Sequence, residues 1–225
     1  IAHAEVLMID ASDVSSEEIA SRANELLNCT LALNTVIQSI EQDISEYRFD
    51  KRDIAPLLFE AKEIYQPEAT ARNVEICIDL EPVQGEAPAL EVASYQLQIA
   101  FNNLIHNAIQ YSFRGSLEQT RAVHVRGWPA GEYYAIAISN CGVGILPEEI
   151  ESGAIFEDGY QGKLTRPEYR TGFGTGLSFA KRVIDRHHGF IEVQSRQMTD
   201  AENPQGQPHL TRFVIRLPYE QSSEA

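Results

Sequence analysis

Gly172-Phe173-Gly174-Thr175-Gly176-Leu177 places three alternate glycines immediately before a stretch with helical periodicity. This segment narrows the choice of folds more than any other. Glycines at that spacing leave backbone N–H groups open at a helix start, where the helix dipole favours an anion such as phosphate. Two common phosphate-binding architectures do not fit. A dinucleotide-binding turn needs Gly-x-Gly-x-x-Gly after an apolar strand, but position 177 is leucine and no apolar strand precedes the loop. A P-loop needs Gly-Lys followed by Ser or Thr, and none follows here. Any phosphate site in this chain must belong to a different architecture.

Around the glycines, helical and strand patterns alternate. Ile54–Ala71 reads as a helix, with Pro56 tolerated near its start. Val74, Ile76, Ile78 and Leu80 alternate with polar residues, the period of a strand. Ser94–Ser112 is helical, with Leu97, Ala100, Leu104 and Ala108 on a related face. Ala122–Trp128 and Tyr133–Ser139 read as a hairpin turning around Pro129-Ala130-Gly131. Gly176–His188 is a helix ended by Gly189, and Phe190–Ser195 and Leu210–Leu217 read as two more strands. This order predicts a layered α/β unit with mainly antiparallel pairing.

The first part of the chain has a different pattern. Ile19, Leu26, Leu33, Ile40 and Tyr47 recur every seven residues, with Ala23, Thr30, Ile37 and Ile44 interleaved. That seam predicts a helix from about 16 to 47 within a coiled coil or four-helix bundle. A long amphipathic helix packed on its own domain is the alternative. Residues 1 to about 10 read as the end of a preceding helix, so the hairpin is half a bundle and a dimer completes it. Near Arg48–Asp53 the pattern changes, as a linker would. The expected organisation is a helical dimerisation segment over 1–48 and a second domain over 49–225, an α+β chain overall.

With 225 residues and a formal net charge of −15, the chain is a poor host for nucleic acid. A small phosphate-bearing metabolite needs only a local site. No run approaches about eighteen apolar residues, and no signal peptide is visible, so no membrane contact is expected within these residues. Cys29, Cys77 and Cys141 are far apart and form no CxxC pair. Neither a zinc site nor a disulfide framework is indicated, and a reducing cytoplasm is the natural setting.

Two other segments carry candidate chemistry. In Asn102-Asn103-Leu104-Ile105-His106-Asn107-Ala108, Asn103 and Asn107 share one helical face. Carboxamide oxygens suit a hard cation such as magnesium, although paired asparagines also serve as plain surface or capping groups. In Ile136–Ile145 an apolar strand ends on Asn140 and the turn Gly142-Val143-Gly144. Glycines there allow positive φ and close approach of a flat ligand, or simply a tight turn.

In their order and spacing these segments resemble the catalytic, ATP-binding half of sensor histidine kinases, with its Bergerat-type ATP fold. The asparagine-rich helix is similar to the N box, Asn140–Ile145 to the G1 box, Ile155-Phe156-Glu157 to the F box and Gly172–Leu177 to the G2 box. Ser178–Val193 fits the family's helix-then-strand ending, and the match covers roughly residues 49–218. Ala4-Glu5-Val6-Leu7 resembles the stretch closing the first helix of the family's dimerisation and phosphotransfer domain. That placement implies a phosphoacceptor histidine upstream of Ile1. His3 is a poor substitute, since no acidic residue follows it directly and no Thr-Pro or Asn-Pro comes after.

The resemblance implies a two-layer α/β sandwich that binds Mg2+ and ATP, a homodimer formed through the N-terminal helices, and phosphoryl transfer to a histidine and then to a response regulator receiver domain. It implies a cytoplasmic location, within a larger and membrane-anchored sensor. Asn107 would ligate Mg2+ bridging the ATP phosphates, with Asn103 supporting the phosphate end and Gln110 and Tyr111 following. Gly142 and Gly144 would admit the adenine beside Asn140 and Ile145. Gly172, Gly174 and Gly176, with Thr175 and Leu177, would contact phosphates and hinge a lid at about 146–172.

The chain departs from the family's pattern at three positions, Asn140, Gln110 and Gln161. Hydrolytic relatives carry a glutamate four residues before the metal asparagine, where this chain has Asn103; lacking a base for water favours transfer to a protein acceptor. The G1 aspartate that accepts from the adenine 6-amino group is Asn140, whose NH2 can instead donate to another base. A lysine and an arginine expected near the phosphates are Gln110 and Gln161. Lys163, Arg166 and Arg170 remain in the lid, with Arg170 the preferred replacement and a solvated surface the alternative. A degenerate, dimeric regulator with weak or no ATP binding is therefore a second reading. His106 faces the N-box neighbourhood but reads as a satisfied helical histidine, and His187 and His188 as helix-end residues.

Overall fold

A computed structural model describes residues 47–113, 121–165, 174–198 and 207–221 of the chain. The expected helical hairpin with its heptad seam up to Ile44, and His3, lie outside the described residues, as do Arg166, Arg170 and Gly172.

The described elements are β1 (Asp50–Asp53), α1 (Ala55–Ala71), β2 (Val74–Leu80), β3 (Ala89–Val92), α2 (Ser94–Gln110), β4 (Arg121–Ala130), β5 (Tyr133–Gly142), α3 (Pro147–Glu151), a 3-10 turn (Ala154–Phe156), α4 (Gly176–Arg186), β6 (Phe190–Gln197) and β7 (His209–Pro218). Five strands form one sheet in the order β2-β4-β5-β7-β6. β2 and β4 run parallel, and the remaining pairs are antiparallel, as the alternation of elements predicts. α2 packs on α1, α4 and β5, so the helices form a layer over the sheet. The fold is α+β.

The core follows from strand periodicity, since alternate residues share a face. Tyr134, Ile136 and Ile138 of β5 stand opposite Leu217, Ile215 and Phe213 of β7, and all six are buried. Ile191 and Val193 of β6 continue the row on the outer side of β7. Leu97, Phe101, Leu104 and Ile105 of α2 and Phe179, Val183 and Ile184 of α4 are buried in the same cluster. Each such side chain contributes about 1.5–3 kcal/mol when taken fully out of water, which holds the layers together.

Several boundaries differ from the pattern reading, each for a local reason. The stretch expected to be a linker contains β1, whose Asp50–Asp53 pair antiparallel with Ala89–Val92. All four β1 residues are exposed, so the strand is held by backbone pairing and leaves no apolar signature. α2 stops at Gln110, because Ser112 turns its hydroxyl back to the Ala108 carbonyl at 2.6 Å and bridges to Gly142. The hairpin is tighter than expected: Ala130 faces Tyr133, and Gly131 takes a left-handed φ of +69° in the turn. α1 is stopped by Asn73 at φ +53°, and the Asp53 carboxylate accepts the Ala55 N–H at its start, 2.9 Å away.

His187 caps the C-terminus of α4, in line with the helix-end reading, and His188 follows at φ +52°. The His187 ring is fully buried. Its Nε2 accepts the Ala93 N–H at 3.0 Å while Nδ1 lies 2.7 Å from the Val183 carbonyl, which makes it a neutral imidazole protonated on Nδ1. Tyr47 and Phe49, just ahead of β1, stack edge-on against the same ring. Burial holds the imidazole below its ordinary pKa and His188 adds to this, with the Val183 hydrogen bond opposing. A depressed histidine contributes stability that is complete above the unfolded value of about 6.5 and is lost as pH falls through the window below it. Melting from about pH 7.5 to about pH 5 is therefore expected to show a falling Tm, with a shallower fall for His187→Gln. Equal slopes for the two proteins would contradict this assignment.

Candidate functional site

The asparagine helix and the glycine turn are about thirty residues apart in sequence, and backbone hydrogen bonds join them. The Val143 N–H donates to the Tyr111 carbonyl at 2.9 Å, and the Phe113 N–H to the Cys141 carbonyl at 3.2 Å. The approach is so close that a Cβ at Gly142 would lie 1.9 Å from the Tyr111 oxygen. Gly142 is thus required by contact rather than by conformation, since neither it nor Gly144 has positive φ. At Gly144 the side a Cβ would occupy is filled by the buried His209 imidazole, 2.3 Å from where that Cβ would stand.

At the end of the sheet beside this turn, the apolar rows become polar. Beyond Ile138 and Phe213, the next pair on the same face is Asn140 and Thr211, and Ser195 stands opposite Thr211 on β6. The Ser195 and Thr211 hydroxyls are 2.9 Å apart, and Ser195 Oγ also accepts the Ile145 N–H at 3.0 Å. Asn140 is only 5% exposed, and its Nδ2 has no hydrogen-bond partner among the described residues. Leaving a buried donor unsatisfied costs about 1–3 kcal/mol, so a native protein keeps such a group mainly where a ligand or water completes it.

The third part of the site is the start of α4. Asn103 of α2 donates from Nδ2 to the Ile99 carbonyl at 3.1 Å, which turns its Oδ1 outward. A Cβ on Gly176 would sit 3.0 Å from that oxygen, so glycine lets the first turn of α4 lie against the asparagine helix. Thr175 occupies the N-cap position without a side-chain cap, and its carbonyl accepts the Ser178 hydroxyl at 2.7 Å. Among the described residues no side chain caps the N-terminal amides of α4, which start beside Asn103. Asn107 is half-buried one turn beyond Asn103 on the same face. Gly174 does have the left-handed φ, +73°, and it packs on the Gly159 and Tyr160 backbone.

That backbone belongs to the F-box region, which rests on two carboxylates. Glu149 is 1% exposed and accepts from the Leu146 N–H at 2.8 Å, the Tyr160 hydroxyl at 2.7 Å and the Lys163 N–H at 2.8 Å. The hydrogen bond to Glu149, with burial and the nearby carboxylates, pushes the Tyr160 phenol up to about 12. Asp158 accepts from the Ser178 hydroxyl and from Arg182 at 3.1 Å, and both interactions hold its carboxyl below the usual range. The two acids fasten the F box to α3 and α4.

Of the expected site residues, the structure sets Gly176 against Asn103 and Gly142 against Tyr111, with Asn140 and Ile145 flanking that turn and Gly174, Thr175 and Leu177 flanking Gly176. Leu177 is half-buried against the core, as is Ile145. Gln110 is buried, and its carbonyl holds the Arg72 guanidinium at 2.6 Å. Lys163 is exposed, with Nζ 3.6 Å from Glu148. His106 turns to α1 rather than towards the other N-box side chains: it pairs with Glu68 at 3.2 Å and stacks on Tyr65. Burial works against Glu68 ionisation, but His106 and Arg72 outweigh it and hold the carboxyl below its ordinary range. Thr211, Ser195, His209 and Glu149 were not singled out from the sequence. The polar breaks in two apolar rows were the available signal for Thr211 and Ser195.

Residues 93–221 match the model of the histidine kinase-, DNA gyrase B- and HSP90-like ATPase family. The chain belongs to this family. It is 38% identical over 124 residues to the sensor-like histidine kinase SenX3 of Mycobacterium tuberculosis, covering 54% of this chain and 28% of that protein. It is 25% identical over 181 residues to the phosphate regulon sensor protein PhoR of Pseudomonas aeruginosa, covering 80% of this chain and 37% of that one. The chain therefore spans well under half of these relatives' length. The catalytic domain of the histidine kinase ThkA superposes with a TM-score of 0.59 at 18% identity, over 77% of this chain and 99% of that one. ThkA in complex with the response regulator protein TrrA gives 0.61 at 18% identity, over 92% of this chain and 53% of that one. These structures share the fold of the histidine-kinase ATPase domain described here, and SenX3 and PhoR support its assignment to the sensor-kinase branch.

The ATPase domain's two halves meet at Gly142, so a methyl group there is expected to destabilise strongly. Gly142→Ala should lose at least about 1–3 kcal/mol in urea unfolding, because backbone has to move away from the Tyr111 carbonyl. Gly162→Ala, whose Cβ would meet the Thr165 hydroxyl at 3.4 Å and Glu149 Oε1 at 3.8 Å, both ordinary van der Waals contacts, is expected to stay within about 0.5 kcal/mol of the parent. Comparable losses in both would show that the contact at Gly142 is not the constraint.

Proposed function

We propose that this chain is the catalytic core of a two-component sensor kinase, which binds Mg-ATP between α2, the Gly142–Gly144 turn and the start of α4 and transfers the γ-phosphoryl group to a histidine outside the 225 residues. The observation that carries the reading is the buried, unpartnered Asn140 amide at the end of an otherwise apolar sheet face, next to the turn stitched onto the asparagine helix. A base edge supplies what that amide lacks. The uncapped amides of α4 and the open φ of Gly174 suit phosphate oxygens.

The residues present fit magnesium in the manner usual for nucleotide sites. Among the described residues no cluster of three or more His, Cys, Asp or Glu side chains forms a cage. Magnesium bound with a nucleotide needs one or two protein oxygens, the rest coming from phosphates and water. Asn107 would supply such an oxygen, and the ion would neutralise phosphate charge against the acidic chain. Asn103 stands where a general base would serve hydrolysis, and a carboxamide does not take up a proton from water. Catalysis then rests on positioning, and the γ-phosphate is directed to a protein acceptor.

The account extends to a homodimer through the N-terminal helices and transfer onward to a receiver domain, as the ThkA–TrrA complex illustrates for that pair. A cytoplasmic setting accompanies it; among the described residues no helix is long and apolar enough to cross a membrane. The degenerate, regulatory alternative draws on Gln110, a buried neutral amide where a lysine was expected near phosphate.

The chain extended by its upstream helix is expected to incorporate acid-labile, base-stable label from γ-labelled ATP. Asn107→Ala should reduce that rate by about 100-fold or more with melting unchanged, the scale for losing one group that stabilises transition-state charge. Weak or absent nucleotide binding without labelling would favour the regulatory alternative. Neither binding nor labelling would contradict both the site and the reaction.

A further inference from the structure

The Asn140 amide carries more information than the presence of a ligand. It lies on the helix-facing side of β5, in register with Thr211, and is 5% exposed. The other polar groups of its row are already engaged: Thr211 with Ser195, and Ser195 with the Ile145 N–H. Asn140 Nδ2 is left as a buried hydrogen-bond donor with no acceptor among the described residues. The row holds no carboxylate. A group that completes this position must present an acceptor to an N–H, and a carbonyl oxygen is the plain complement.

This requirement distinguishes purines at ring position 6. Adenine carries an amino donor there, which would meet the amide NH2 donor to donor unless the carboxamide turned over. Hypoxanthine and guanine carry an oxo acceptor. A carboxylate at position 140 would accept only and so would demand the amino group, whereas a carboxamide offers both functions. Sites that hydrogen-bond a substrate group discriminate sharply against an analogue that mismatches it, because buried partners are then left unpaired.

We propose that Asn140 sets the base specificity of this site, so that it takes 6-oxo purine nucleoside triphosphates, the inosine and guanine nucleotides, at least as well as ATP. The proposal rests on the nucleotide-site reading above and adds the class of base. The 6-oxo oxygen accepts from Asn140 Nδ2, and the Gly142–Ile145 turn borders the base.

Titration calorimetry of the 225-residue chain with magnesium and non-hydrolysable ATP and ITP analogues tests it, since the two bases differ at position 6 and in the protonation of N1. The ITP analogue is expected to bind more tightly than the ATP analogue or within about threefold of it, and Asn140→Asp to shift the ratio by about tenfold or more towards ATP. ATP binding with ITP weaker by more than that threefold margin overturns the proposal and leaves the nucleotide site standing. An unchanged ratio in a folded Asn140→Asp variant also overturns it. No binding of either analogue removes the site itself. The wild-type ratio decides the question even where the variant does not fold.

Discussion

The contact between the Tyr111 carbonyl and the Gly142–Val143 backbone joins the two layers where the chemistry lies. One end of α2 and one end of β5 meet there through main-chain groups, with no room for a side chain at Gly142. Because α2 is also buried along the row from Leu97 to Ala108, its asparagine face has one position relative to the sheet. Asn103, Asn107 and Asn140 are thereby placed by helix and strand rather than by loops. The same contact explains why the glycines of the turn have ordinary φ values: they are small for the sake of their neighbours.

A second consequence is the division of labour among polar groups. Some buried polar side chains hold the framework, as with His187 bridging Ala93 and Val183, or Glu149 gathering three donors. Asn140 differs from these in keeping a buried donor without an acceptor among the described residues, at the end of an apolar row. Its neighbours Thr211 and Ser195 form a supporting row that holds Ile145 and leaves Asn140 open. Binding energy in such a site comes from completing a group whose burial the fold has already arranged.

Much of the fold was legible because its long elements carry their period openly. α1, α2, α4, β2 and the β4–β5 hairpin each appear as an apolar repeat, since each buries one face. β1 did not, because it is exposed throughout and held by backbone pairing, and β3 did not because four residues with only Leu90 and Val92 buried are too short to show a period. The candidate site was drawn from unusual runs of asparagine and glycine, at Asn102–Asn107, Asn140–Gly144 and Gly172–Gly176. Thr211, Ser195 and His209 were missed because each is one polar residue in a strand, meaningful only in register with its neighbours. Glu149 was missed because nothing in Pro-Glu-Glu shows which acid is buried. The packing of His209 on Gly144 was hidden for the same reason, since His209 reaches it from a strand far along the chain.

The central claim is that α2, the Gly142–Gly144 turn and the start of α4 form one nucleotide site. Amide hydrogen exchange measured with and without Mg-ATP tests it most directly. The account predicts slower exchange at 143–146 and 174–178 on adding nucleotide, with β2 at the sheet edge unchanged. Equal exchange in the two turns with and without nucleotide, or protection centred on β2, would contradict it.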